Sequence, residues 1–203
     1  KTGAVIESDN GPRKGQTIEA LQKLKPYFDR KTGSVTVGTS SQVTDGAAAM
    51  ILMTESRAKE LGVAVLGYIK SYTYAGCDPD RMGLGPAFAV EKLVREHGFN
   101  LKDADIIEIN EAFAAQVMAN CRALNSKEFF EKEFGHSNVT GEIDPENLNR
   151  YGGAIALGHP LGMSGTRIVL TALRQLKETN QQTALATLCV GGGQGAALWL
   201  ESQ

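Results

Sequence analysis

One histidine and one cysteine, thirty residues apart near the end of the chain, sit beside runs of glycine. His159 lies in Gly152-Gly153-Ala154-Ile155-Ala156-Leu157-Gly158-His159-Pro160-Leu161-Gly162, and Cys189 in Leu188-Cys189-Val190-Gly191-Gly192-Gly193-Gln194-Gly195. Glycine leaves the main chain open to close approach by another molecule. A histidine just ahead of a helix start is held neutral by the positive end of that helix. It can accept a proton or hydrogen-bond an oxyanion. A thiol that ends an apolar strand can serve as an acid or base when a dipole or a histidine makes it more acidic. Each also has a plainer reading: a histidine satisfied within its turn, and a thiol buried as core.

Other residues could join such a site. Asn110-Glu111-Ala112-Phe113 follows an apolar strand at once, and in an open α/β sheet ligands bind at that end of a strand. Asn110 reads either as a group that holds a water or polarises a carbonyl, or as a helix cap. Ser41 lies in a polar loop and reads either as a ligand contact or as turn chemistry. Met82, before Gly83-Leu84-Gly85-Pro86, and Phe113 read as pocket lining or as core. Gly158 to Gly165 has the glycines of a phosphate loop without its Lys-Ser/Thr. His159 and Cys189 have no partners at zinc-ligand spacing, so no metal is expected.

Strands and helices must position these residues. Thr17 caps a predicted short helix through Leu21 and Leu24. Ser34–Val37 is a β-prone run. Ala47–Met53 is apolar on both faces, as expected of a buried strand, while its alanines leave a helix possible. A helix is expected from Thr54 or Glu55 to Gly62, a strand over Val65–Tyr74, and a helix from Pro86 to His97-Gly98. Asp105–Ile109 is a strand, and the helix after it is expected to open at Asn110–Phe113 and run to about Leu124. Residues 125–150 are polar and read as an insertion. A helix is expected from Ser164 or Gly165, followed by two strands, Ala184–Val190 and Ala196–Glu201, around a glycine hairpin. The class is α/β with a mixed sheet.

Composition bounds the setting. The chain has 203 residues, 42% apolar and 22% charged, with a net charge of −2. This is the balance of a soluble globular protein, and it gives no reason to expect nucleic acid or a membrane surface as partner. No apolar run approaches the ~20 residues of a membrane span. Three widely spaced cysteines, Cys77, Cys121 and Cys189, point away from a disulfide framework and towards a reducing interior. The chain opens at Lys1 without a methionine or a signal-peptide layout, and is expected to be a processed piece or part of a longer protein.

Taken together, the motifs resemble the thiolases, the acyl-CoA:acetyl-CoA acyltransferases. Asn110-Glu111-Ala112-Phe113, Gly152 to Gly165 and Cys189-Val190-Gly191 occur in that family's order. So do Pro12-Arg13, Leu24-Lys25-Pro26-Tyr27-Phe28, Thr44-Asp45-Gly46-Ala47-Ala48 and Met82-Gly83-Leu84-Gly85-Pro86. The resemblance implies that His159 activates a nucleophilic cysteine and helps bind the thioester oxygen, with Asn110 fixing a water in that oxyanion hole. It implies that Cys189 moves a proton at the acetyl α-carbon and that the Gly191 N–H serves a second oxyanion hole. Ser41 becomes a contact to the pantetheine of coenzyme A, and Phe113 and Met82 pocket-lining positions. No cofactor is implied beyond coenzyme A and acetyl-CoA as substrates.

The departures from the family pattern are informative. No cysteine here has the Cys-x-Ser-Gly setting of the family's nucleophile, so the chain resembles a C-terminal half, inert by itself. Residues 1–38 are then the tail of the N-terminal half and its loops, and 39–203 the C-terminal domain. The Asn110–His159 interval of 49 residues exceeds that of short biosynthetic thiolases, and 125–150 resembles the insertion of degradative ones. Gln42 stands where many members have glycine. The resemblance implies a layered α/β/α fold with a five-stranded mixed sheet, an apolar face covered by the N-terminal half, and a homodimer or homotetramer of the full protein. A bacterial cytoplasmic setting is expected, while mitochondrial or peroxisomal settings stay open. A non-catalytic domain that binds coenzyme A or a partner is the alternative function. A ketoacyl synthase would favour histidine at the place of Cys189.

Overall fold

A computed structural model describes Val5, Glu7 and residues 11–203. The other residues of the irregular lead-in lie outside that range. Helix α1 (Ile18–Gln22) is capped as predicted, with Thr17 accepting from the Ala20 N–H. Helix α2 (Glu55–Leu61) starts under the Thr54 side chain and stops at Gly62, whose φ of 62° suits glycine. Strand β1 (Tyr68–Gly76) leads through a 3-10 turn, Pro79–Leu84, into α3 (Gly85–His97). Strand β2 (Ile106–Ile109) is followed by α4 (Ala114–Leu124) and α5 (Lys127–Phe134). Then come α6 (Ala154–Leu157), α7 (Leu161–Thr179) and the hairpin of β3 (Thr183–Val190) and β4 (Gln194–Glu201).

The sheet has the order β1-β4-β3-β2. β2 and β3 run parallel, and the other two pairs are antiparallel. Side chains alternate across it and feed two cores. On one face Ile107, Ile109, Leu185, Ala197 and Trp199 pack with Ala89, Val90 and Leu93 of α3. On the other, Ile106, Ala184, Ala186 and Leu200 pack with Ile168, Val169, Ala172 and Leu176 of α7. The result is the expected α/β/α layering.

Among the described residues four strands form instead of five. Beyond β2 the pairing is a single parallel bridge between Ile107 and Leu148. The next residue, Asn149, turns away with φ 47°. Its side chain takes over the ladder: Oδ1 accepts from the Ile109 N–H at 2.9 Å, and Nδ2 donates to the Ile109 carbonyl at 2.9 Å. An amide has the donor and acceptor of a peptide unit, so it ends a sheet without leaving orphans.

The buried strand expected over Ala47–Met53 is not formed. The segment pairs with no strand of the sheet, and Ile51 and Leu52 are 84% and 67% exposed. An apolar run becomes a strand only by pairing with another strand, and this one pairs with neither of the sheet's edge strands, β1 and β2. Ser34–Val37 likewise forms no strand. Thr36 enters a turn closed by the Thr39 N–H to Thr36 carbonyl bond at 3.1 Å. The insertion 125–150 contributes to the core: α5 is amphipathic and buries Phe130 completely.

Candidate active site

The C-terminal edge of the parallel pair organises the site. The Asn110 N–H donates to the Thr187 carbonyl at 3.0 Å, one residue past the last pair of β2. Cys189 is two residues further along β3, on the face that carries Leu185. Asn110–Phe113 is not the first turn of a helix, as predicted. It is a short loop, and Phe113 is the N-cap of α4.

Residues 39–42 stitch this loop to the histidine. Ser41 N–H donates to the Ala112 carbonyl at 3.0 Å, and Ala114 N–H donates to the Thr39 carbonyl at 2.9 Å. One residue on, the Gln42 carbonyl accepts from the His159 N–H at 3.0 Å. Ser41 therefore lies beside Ala112, and Gln42 beside His159. Thr44 follows and fills the space a side chain at Gly158 would need, 2.5 Å from an ideal Cβ.

Helix α7 begins at Leu161, three residues earlier than the first predicted start, because the Pro160 carbonyl accepts from Met163 N–H at 2.9 Å and Ser164 N–H at 3.1 Å. The His159 ring is thereby held just ahead of that helix. Its Nε2 is 3.3 Å from Asn110 Nδ2, and its Nδ1 is 2.6 Å from Ser164 Oγ. Burial holds the ring's pKa below the ordinary 6.5, and the positive charge of Arg167 adds to the effect. The ring is therefore neutral at pH 7. Asn110 is 1% exposed, and its Oδ1 has no hydrogen-bond partner among the described residues.

Cys189 is buried. Burial pushes its thiol above the usual cysteine range, a main-chain hydrogen bond pulls slightly the other way, and Cys77 adds to the rise. Gly191 stands at the exposed hairpin tip with open space where a side chain would go. Gly193 and Gly195 anchor that tip: ideal Cβ atoms there would lie 2.4 Å from the Cys77 carbonyl oxygen and 1.9 Å from the Gly85 carbonyl oxygen. Phe113 packs edge-to-face on Phe28 with ring centroids 5.8 Å apart. Met82 is half-buried in the 3-10 turn ahead of α3. Asn110 and His159 thus touch directly, and Ser41 and Phe113 belong to the stitched loops. Cys189 and Gly191 occupy the neighbouring strand end and hairpin.

Sequence reasoning missed the supports. Glu111 accepts from Ile155 N–H at 3.1 Å and from Asn149 Nδ2 at 3.0 Å, fixing the loop after β2 to the start of α6. Glu108, 3% exposed, faces α7 and accepts from Gln175 Nε2 at 2.6 Å. Burial raises its carboxyl to about 7, with Gln175 and Arg167 opposing the rise and Glu111 adding to it. A lone acid in the apolar run Ile106-Ile107-Glu108-Ile109 was the available signal. Ser164 had none, because the expected helix began at or after it.

Among the described residues, no three His, Cys, Asp or Glu side chains gather as metal ligands, and no helix is long and apolar enough to cross a membrane.

Residues 63–202 match the model of the thiolase C-terminal domain, and residues 1–56 that of the thiolase N-terminal domain. The segment 47–53 falls within the N-terminal match. A 3-ketoacyl-CoA thiolase of Shewanella sediminis is 45% identical over 197 residues, which cover 97% of this chain and 45% of that protein. The human mitochondrial 3-ketoacyl-CoA thiolase, solved in complex with CoA, superposes with a TM-score of 0.82 at 38% identity. That match covers 98% of this chain and 46% of the human one. The dimeric peroxisomal thiolase of Saccharomyces cerevisiae gives a TM-score of 0.80 at 40% identity, over 97% of this chain and 45% of the yeast one. The chain thus spans about half the length of the relatives it matches. It shares their fold, and with both domain models matching in order along its length, it belongs to the thiolase family.

Proposed function

We propose that this chain supplies the C-terminal half of the active site of a 3-ketoacyl-CoA thiolase. The observation that carries this reading is the Asn110–His159 contact at the end of β2, next to the strand end bearing Cys189. The nucleophilic cysteine is assigned to sequence outside this chain. His159 Nε2 takes that thiol's proton, and the thiolate attacks the 3-keto carbon. The Cα–Cβ bond then breaks, leaving an acyl thioester on the enzyme and the enolate of acetyl-CoA. The Cys189 thiol, kept protonated by burial, delivers its proton to the enolate carbon. A second coenzyme A thiol gives its proton to the Cys189 thiolate and attacks the acyl-enzyme, releasing the shortened acyl-CoA, and the expelled nucleophile thiolate takes its proton back from His159. The reverse sequence is a Claisen condensation.

The oxyanions of both steps need donors fixed beforehand. His159 with an Asn110-held water serves one, and the Gly191 N–H serves the other. Ser41 contacts pantetheine, while Phe113 and Met82 line the coenzyme A substrate pocket. The full protein works as a homodimer or homotetramer in a bacterial cytoplasm, a reading supported by the yeast dimer and by bacterial relatives. The test is thiolysis of acetoacetyl-CoA and a longer 3-ketoacyl-CoA by the full-length protein. Cys189→Ala is expected to lower kcat by ~100-fold or more. Full activity in that variant, or no turnover of either substrate by the unaltered protein, overturns the reading and favours a non-catalytic binding domain.

A further inference from the structure

The geometry points to Ser164 as the residue that decides which nitrogen of His159 is free to act as the base. Ser164 is fully buried in the first turn of α7. Its Oγ is 3.1 Å from the Pro160 carbonyl oxygen and 2.6 Å from His159 Nδ1. Of these two neighbours only the Pro160 carbonyl is limited to accepting, and the Oγ contact there is a donation from the hydroxyl. Oγ then offers lone pairs to Nδ1, and Nδ1 must carry a proton to meet them. The neutral ring is left with its lone pair on Nε2, where Asn110 Nδ2 donates to it at 3.3 Å. Every link in the chain Asn110, His159, Ser164, Pro160 then sets a donor against an acceptor.

This inference rests on the thiolase reading for its consequence, but not for its geometry. A base at His159 needs its lone pair on the nitrogen beside Asn110, and the opposite tautomer places a proton there instead. Ser164 touches no reacting atom on this assignment. It is a positioning residue that acts through the ring, in the way a hydrogen-bonded partner sets the tautomer of other catalytic histidines. Helix α7 supplies the rigidity, since its first turn and the Pro160 carbonyl hold Oγ in place.

The experiment is nitrogen NMR on the full-length enzyme labelled with 15N-histidine, at a pH where the rings are neutral. The His159 signals are identified by their loss in His159→Gln. We expect a protonated Nδ1 and a bare Nε2 at His159, and a protonated Nε2 in the unaltered enzyme overturns the inference whatever any variant does. In Ser164→Ala the Nε2–H form is expected to become populated. kcat should fall at least about tenfold while KM changes less than about twofold. Ser164→Thr, which restores the hydroxyl, is expected to recover the tautomer. If Ser164→Ala keeps the original tautomer and rate, Ser164 is packing only and the inference fails. If the tautomer shifts but the unaltered enzyme cleaves no 3-ketoacyl-CoA, the thiolase reading fails and the positioning role stands.

Discussion

Replacing Glu108 with glutamine should change how stability depends on pH, and in a calculable direction. The folded protein holds this carboxyl at about 7, against an ordinary 4.5, chiefly because it is buried. Below pH 4.5 the group is protonated in both folded and unfolded chains. As pH rises from 4.5 towards 7, the unfolded chain releases the proton and the folded one keeps it, so folding becomes progressively less favourable. Above about 7 both are ionised and the loss levels off. The difference between about 7 and 4.5, at 1.36 kcal/mol per pH unit, is roughly 3 kcal/mol. Glu108→Gln has no such loss. Its amide can also donate to Gln175 Oε1, which has no partner among the described residues. Urea unfolding of both proteins from pH 4.5 to 8 is the assay. The variant should gain on the unaltered protein by up to ~3 kcal/mol across that range, then run parallel to it. A pH-independent difference, or an unaltered protein that gains relative stability as pH rises, refutes the reasoning.

Asn149→Ala should cost about 2–3 kcal/mol in urea unfolding, because it strands the buried N–H and carbonyl of Ile109 together; a loss below ~1 kcal/mol would show that the side chain is not the end of the ladder. Gly195→Ala, whose Cβ would lie 1.9 Å from the Gly85 carbonyl oxygen, should destabilise by more than ~3 kcal/mol or fail to fold, whereas Gly191→Ala should cost under ~1 kcal/mol. Equal effects from the two would contradict the packing described at the hairpin. The acidic limb of kcat/KM should lie below pH 6.5, since burial and Arg167 keep His159 neutral, and Arg167→Gln should move that limb upward. A limb at or above 6.5 in the unaltered enzyme would count against that electrostatic account.

The parts legible in the sequence were those with local signals. Thr17, Thr54, Gly62 and Gly98 mark helix ends through their own side-chain or backbone chemistry, and each lies at an observed end. Apolar runs located β2, β3 and β4, and the glycines located the hairpin. Ala47–Met53 misled because an apolar run names no pairing partner, and this one pairs with no strand of the sheet. The fifth strand was lost to a side chain, since Asn149 pairs with backbone in a way that no periodicity records. Asn110 and His159 were readable as candidates from their flanking elements. Ser164 and Glu111 were not, because their roles depend on where α7 and α6 begin.

The stitch made by residues 39–42 has a consequence for any attempt to divide or recombine this protein. Those residues fall in the stretch matched by the N-terminal domain, yet their backbone holds the loops that carry Asn110 and His159. The boundary of shared ancestry at 56–63 is therefore not the boundary of mechanical support. A chimera joined there would exchange the strap while keeping the loops it fastens. Moving the junction upstream, so that residues 39–46 travel with the C-terminal portion, keeps the strap with the groups it aligns.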